Sequence, residues 1–323
     1  LAEASAALAR LDARIAAAEP AVGAGLLARV ALREAAGWLA HQHGTWVHPV
    51  DLGLREAGLT GSITAAAMSG RVRAALPSTM EGYATPQTLA EDLTIAQALQ
   101  FARLWQRLAE RPNWAPLTDA AAFVKLLAQL GHHAPEDGAV TAWLTHFTAR
   151  RSAEAAAIPG LMWVGMAAQA WAEHEPRHGP HLPTAAMFLA ACLWRQTGTT
   201  PMLALPFWSA TPALLESLCV LAGPAWLPAF LRTVADAAQR AGQELSRLLT
   251  AAERAAALRR TVRSQLPAAA ACALLLPVLT ARGLAENLQL SPQAAAMLLK
   301  QLVAAGMLRE ATGRAAWRAF VVA

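Results

Sequence analysis

The sequence predicts a mainly α-helical protein that closes on a single β-hairpin. Three observations carry this. Apolar residues recur with a 3.6-residue period along nearly the whole chain, alanine is heavily used, and alternating strand patterns are confined to the last fifteen or so residues. With 323 residues the chain is about twice an average domain, so two domains or one large helical one are expected. Apolar residues make up 55% and charged residues 15%, which excludes a disordered chain. The longest apolar stretch, Leu266 to Ala281, is 16 residues long and holds Pro267 and Pro277. That falls short of the ~20 residues a membrane-spanning helix needs, so no membrane partner is expected.

The elements follow in order. Leu8, Leu11 and Ile15 mark a first helix running to Glu19, where Pro20 and Gly23 break the pattern. A second helix is expected from Leu26 to His41, then a break at His43 to Pro49, a short helix Val50 to Ala57, and another at Thr64 to Leu76. Pro86 opens a helix reaching about Ala109, and Thr118 to Leu130 forms the next. Val140 to Trp171 reads as helix interrupted at Pro159 and Gly160, Glu173 to Pro183 as the most irregular stretch, and Trp226 to about Leu258 as one long helix. A composition shift at Arg259 to Pro267 places the expected domain junction, giving a helical domain 1–263 and a C-terminal unit 264–323.

Charge is distributed unevenly across the chain. Leu1 to Leu231 carries 15 basic and 17 acidic residues, a net of −2, whereas Arg232 to Ala323 carries 12 basic and 5 acidic, a net of +7. The positive field therefore belongs to the C-terminal part, where a polyanion would bind. Cys192, Cys219 and Cys272 are too few and too scattered for a disulfide framework or a zinc knuckle, which fits a reducing, cytoplasmic home. Leu1 to Glu19 lacks the basic start and apolar middle of a secretory signal.

The most specific pattern lies in the C-terminal unit. An apolar helix ends near Leu279, and a short helix runs from Ala281 to Leu288. Ser291 is a natural N-cap and Pro292 a natural first residue for a further helix carrying Ala295, Leu298, Leu299 and Leu302, which Gly306 stops. This is the layout of a helix-turn-helix, whose second helix lies in the DNA major groove. Met307 to Ala311 and Trp317 to Val322 are strand-like around a Thr312-Gly313-Arg314 turn, which makes a two-stranded wing. The expected fold is thus a multi-helix domain followed by a winged helix-turn-helix. Gln293, Lys300 and Gln301 are expected to face the groove behind Ser291, with Arg309, Arg314 and Arg318 on phosphates or the minor groove.

The run LTARGLAENLQLSPQAAAMLLKQLVAAGMLREATGRAAWRAFVV resembles the C-terminal winged helix of two bacterial groups. One is the Fic proteins. The other is a family of uncharacterised helical proteins, often plasmid-borne, with an N-terminal domain of unknown function and a C-terminal helix-turn-helix. The segments LARLDARIAAAE, REAAGWLAHQHGTWVHPVDLGLREAGL and WLPAFLRTVADAAQRAGQELSRLLTAAERAAALRR are similar in layout to that second family. The resemblance implies a DNA-binding regulator. Two departures stand out. Gln293, Lys300 and Gln301 are nearly the only polar groups on a reading helix otherwise built of alanine and leucine. The phosphate-cradling Fic loop is absent, its nearest fragment being His48-Pro49-Val50-Asp51.

Other constellations read as structural. His174, His178 and His181 sit in a proline- and glycine-rich stretch that is a solvated loop, while His41, His43 and His48 straddle a turn, and His132 with His133 falls in a polar turn. No metal and no cofactor is expected. Trp38, Trp105, Trp143 and Trp194 occupy apolar helical positions and read as core, whereas Trp317 lies in the wing. No phosphate-binding, dinucleotide or nucleophile-elbow motif is present in the sequence, so no enzymatic activity is expected. The expectation is a duplex-DNA-binding regulator acting as a homodimer. The alternative is an interaction or scaffold protein whose winged helix contacts protein.

Overall fold

The computed structural model describes residues 1–44, 46–59, 89–110, 120–129, 138, 140–142, 145, 158–174, 184–220, 223–258, 264–312 and 318–323. The expected helix Thr64 to Leu76, the stretch holding His178 and His181, the turn with His132 and His133, residues 259–263 of the expected junction, Trp143, Arg314 and Trp317 lie outside these residues.

The described chain is mainly helical, with a small antiparallel sheet near its C-terminus. Helix α1 covers Ala2–Ala17 and α2 covers Pro20–His43. The second helix thus starts six residues earlier than the sequence pattern suggests. Pro20 serves as its first residue instead of breaking the chain, because the nitrogen lacking a hydrogen has no helical partner to lose there. Gly44, at φ 61°, ends it in the left-handed conformation. Helix α3 (Pro49–Glu56) follows, capped by His48, whose Nδ1 accepts from the Val50 amide at 3.1 Å. Next come α4 (Leu89–Glu110), α5 (Ala120–Gln129), α6 (Gly160–His174), α7 (Thr184–Thr197) and α8 (Pro212–Val220). Helix α9 (Trp226–Ala256) has 31 residues and is about 46 Å long.

Helix α2 is the organising element, packed against α4, α9 and α3 and against α10 (Leu266–Leu275). Two of its glycines permit backbone contact. A Cβ on Gly25 would stand 1.9 Å from the Leu274 carbonyl oxygen, and one on Gly37 would stand 1.8 Å from that of Trp208. Large side chains then fill the gaps between the small ones. Trp38 stacks on Phe101, Phe101 on Trp105, and Phe188 meets both Phe101 and Trp105 edge-on. Trp38, Trp105 and Trp194 are buried, as expected of core residues.

Buried charge fastens the helix ends. Arg195 donates to the carbonyls of Leu108 and Ala109 at the end of α4 (3.0 and 2.9 Å) and to those of Thr200 and Pro201. Arg29 does the same for α10, donating to Ala273, Leu274 and Leu276 at 3.1, 2.7 and 2.7 Å. Each guanidinium takes up carbonyls that the last helical turn leaves without a donor. Glu34 plays the mirror role. Its carboxylate accepts from the amides of Phe207, Trp208 and Ser209 at 2.9, 2.7 and 3.1 Å and from the Ser209 hydroxyl, fixing that turn against α2.

Helix α10 stops at Leu275, four residues short of the expected end, because Pro277 disfavours helical backbone at Leu276, which is extended at φ −89°, ψ 131°. The released chain forms strand β1 (Leu279–Thr280), which the sequence reading did not anticipate. Helices α11 (Ala281–Leu288) and α12 (Pro292–Ala304) follow, then β2 (Leu308–Glu310) and β3 (Ala319–Val322). The sheet order is β1-β3-β2, all antiparallel, with Leu279 opposite Phe320 and Arg309 opposite Val321. Hydrogen bonds from Ala311 N to Ala319 O and from Ala323 N to Met307 O extend the β2–β3 pairing at both ends. The hydrophobic core continues without a break from α1 and α2 through α10 into Leu284, Leu299 and Leu302.

Candidate nucleic-acid interface

The pair α11 and α12 is built by local chemistry. The Thr280 hydroxyl accepts from Gly283 N at 2.9 Å to start α11, and the Ser291 hydroxyl accepts from Ala294 N at 3.2 Å to start α12. Between them the chain reverses at Gln289 (φ 53°), the one non-glycine residue with positive φ among the described residues. Leu290 N donates back to Ala285 O at 2.9 Å, which closes the end of α11. Gly306 (φ 68°) ends α12 in the same way, with Met307 N on Leu302 O. Arg254, in the last turn of α9, donates to the Gly306 carbonyl and so ties α12 to the helical body.

Ala295, Leu299 and Leu302 face inward, leaving Gln293, Met297, Lys300, Gln301 and Ala304 on the opposite side. Their spacing of four, seven, eight and eleven residues from Gln293 puts them on one stripe of the helix. Gln293, Lys300 and Gln301 are therefore brought together on one exposed face, and Ser291 stands at its N-terminal end with its hydroxyl engaged in the cap. In the middle of the stripe lies Met297, 62% exposed, which the sequence reading passed over. Its spacing from Gln293 and Gln301, four residues each way, was the available signal.

The arginines divide. Arg318 is exposed beside the sheet, 3.8 Å from the Glu310 carboxylate, and Arg282 is exposed in α11 with a 2.8 Å bond to Glu286 one turn on. Both ion pairs are solvent-screened and leave the guanidiniums accessible. Arg309 is exposed too, but on the other side of the sheet. It shares its side of the sheet with Val321 and Ala319, which pack on Val278 and Leu54 of α3, and it lines a cleft between the sheet and helices α2 and α9. Arg314 lies outside the described residues.

Among the described residues no cluster of three or more metal-ligating side chains occurs, and no helix is long and apolar enough to cross a membrane. His48 and Asp51 serve the first turn of α3, with Asp51 buried there and burial holding the His48 imidazole below its ordinary range. No family model and no curated protein matches the chain.

Proposed function

We propose that the C-terminal unit is a winged helix-turn-helix that binds duplex DNA, and that the protein is a DNA-binding regulator. The observation that carries this reading is the exposed stripe Gln293, Lys300, Gln301 on an N-capped helix, set in the part of the chain with a net charge of +7. Amide side chains near a helix start can pair with base edges, and a glutamine fits adenine bidentately. Arg282, Arg314 and Arg318 supply sequence-independent phosphate contacts around them. The helical body supplies dimerisation, since paired half-sites compensate for a reading face with few polar groups. The resemblance to the uncharacterised helix-turn-helix family supports the same assignment, with a cytoplasmic location.

Met297 favours a second reading. An exposed methionine at the centre of the stripe suits contact with an apolar surface, so the same helix could dock on a protein partner. Capture of genomic DNA fragments by the purified full-length chain, at about 50 mM and about 200 mM salt, tests the choice. Enrichment of particular fragments that persists at the higher salt supports the regulator. No retention at the lower salt rejects it and leaves the protein-docking reading.

A further inference from the structure

The cleft that Arg309 lines has a volume of about 320 Å³ and is partly open to solvent. That size lies at the small end of ligand-binding pockets. Segments remote in the sequence converge on it: Arg33 from α2, Arg240 and Arg247 from α9, and Arg309 from β2. Glu244 is the one carboxylate lining it among the described residues. It is shared, accepting from Arg33 and, at 3.2 Å, from Arg247, with the Arg29 guanidinium 3.9 Å away. Arg240 is matched by Asp236 at 2.9 Å, outside the lining. Five guanidiniums against these two carboxylates leave a net of +3, and Arg309 has no hydrogen bond and no ion pair among the described residues. Like charges held this close repel, and burial together with Arg247 and Arg240 lowers the Arg33 pKa from its ordinary value.

The rest of the wall is apolar and aromatic. Trp46 and Trp208 both line the cleft and are themselves at least nine-tenths buried. Trp208 keeps an indole N–H with no acceptor among the described residues, although it is only 1% exposed. Trp105 in the core has the same unpaired indole N–H, so the case for a ligand rests on the cavity and its excess of guanidinium charge.

We infer that this cleft binds a small organic anion, with a carboxylate or phosphate head on the arginines and a ring-sized apolar body against Trp46 and Trp208. Guanidinium forks pair bidentately with either head, and the aromatic wall selects for the body. Binding does not depend on the DNA reading. Its consequence does, because β2 and β3 form one wall of the cleft and also carry the wing, so an occupied cleft would bias how the wing sits.

Isothermal titration of the full chain with phenyl phosphate and with benzoate, in the absence of DNA, tests the inference. Inorganic phosphate and benzamide serve as head-only and body-only controls. At least one of the two anions should bind with a Kd below about 1 mM, and both controls should bind at least about tenfold more weakly. Which anion binds identifies the head. Arg309→Gln should weaken that binding by about tenfold or more, the loss expected for one charge-assisted hydrogen bond. The exposed Arg309 side chain has no hydrogen bond or ion pair among the described residues, so this variant should melt like wild type; Arg247→Gln, altered at an exposed side chain, gives a second reading of the same loss. No heat from either anion up to about 10 mM, equal affinity for inorganic phosphate, or affinity unchanged in either variant overturns the inference. None of these outcomes bears on whether the chain retains DNA.

Discussion

The Arg29 guanidinium donates to the Leu274 carbonyl at 2.7 Å, across 245 positions of sequence, and so joins the second helix of the chain to the helix that introduces the C-terminal unit. Burial lowers its pKa to about 10, with Glu244 opposing the shift, so it remains charged at neutral pH. Replacing it with methionine keeps the volume but leaves three carbonyls and Glu244 short of a donor. The expected cost is about 3 to 5 kcal/mol, read as a lower denaturant midpoint. Arg29→Lys should recover little, because an ammonium cannot span the three acceptors as a planar fork does. Gly25→Ala should be comparably damaging for a different reason, since the new Cβ would overlap Leu274 backbone that Arg29 holds in place.

Glu34 gives a pH-dependent prediction. Complete burial raises its carboxyl to about 6, against hydrogen bonds from Ser209, Phe207 and Trp208 that lower it. Because the folded pKa lies above the unfolded value, the folded state binds the proton first. The contribution of this group to stability is therefore full below about pH 4.5 and declines as the pH rises through about 6. Compared with Glu34→Gln, which does not titrate, wild type should lose about 2 kcal/mol of relative stability between pH 4 and pH 7.5. A difference between the two unfolding free energies that stays flat over that range would refute the assignment.

How much of this was legible in the sequence depended on whether the determining signal was local. Ser291-Pro292 fixed the start of α12 and Gly306 its end, because caps act within a few residues. Strand β1 is not legible in the sequence because two residues carry no period; it forms where Pro277 ends α10 and β3 offers a free edge. Arg29 and Arg33 stand four apart in a helix and look like solvated surface charge. Arg29 is buried and Arg33 half-buried because Glu244 and the α10 carbonyls arrive from more than 200 positions away. Arg309 is legible as a wing cation from its place in the hairpin, whereas the side of the sheet it shares with Ala319 and Val321 depends on where α3 and Val278 pack, which no local pattern encodes.

For the DNA reading, the measurable signature is electrostatic. If about five cations of the C-terminal part each neutralise one phosphate, the logarithm of affinity should fall against the logarithm of salt concentration with a slope of about −4 to −5. Fluorescence anisotropy with a random-sequence duplex measures this, and a slope near zero would sink the proposal.

Dimerisation is a separate expectation. Light scattering across working concentrations should give about twice the 34.0 kDa mass of one chain. A single-chain mass throughout would mean that one reading helix works alone, which its few polar groups make a weak arrangement.

The last prediction separates base reading, phosphate positioning and protein docking on the one exposed stripe. Gln293 lies in the first turn of α12, where a reading helix meets base edges, so Gln293→Ala should relax discrimination at one or two base pairs, at about 1 to 3 kcal/mol on the preferred site. Arg318→Ala should weaken all sequences alike and flatten the salt slope by about one unit. Arg309→Ala should do neither without an anion present, since that side chain lines the cleft behind the sheet. Met297→Lys is the deciding variant. Against DNA it adds a cation to a groove-facing surface and should tighten non-specific binding, with a steeper salt slope. Against an apolar protein surface it places a charge where desolvation is costly and should abolish docking. All four side chains are exposed, so the melting temperatures should stay near that of wild type. If Met297→Lys lowers DNA affinity while Gln293→Ala leaves sequence preference untouched, α12 is not the reader, and the stripe is a surface for another protein.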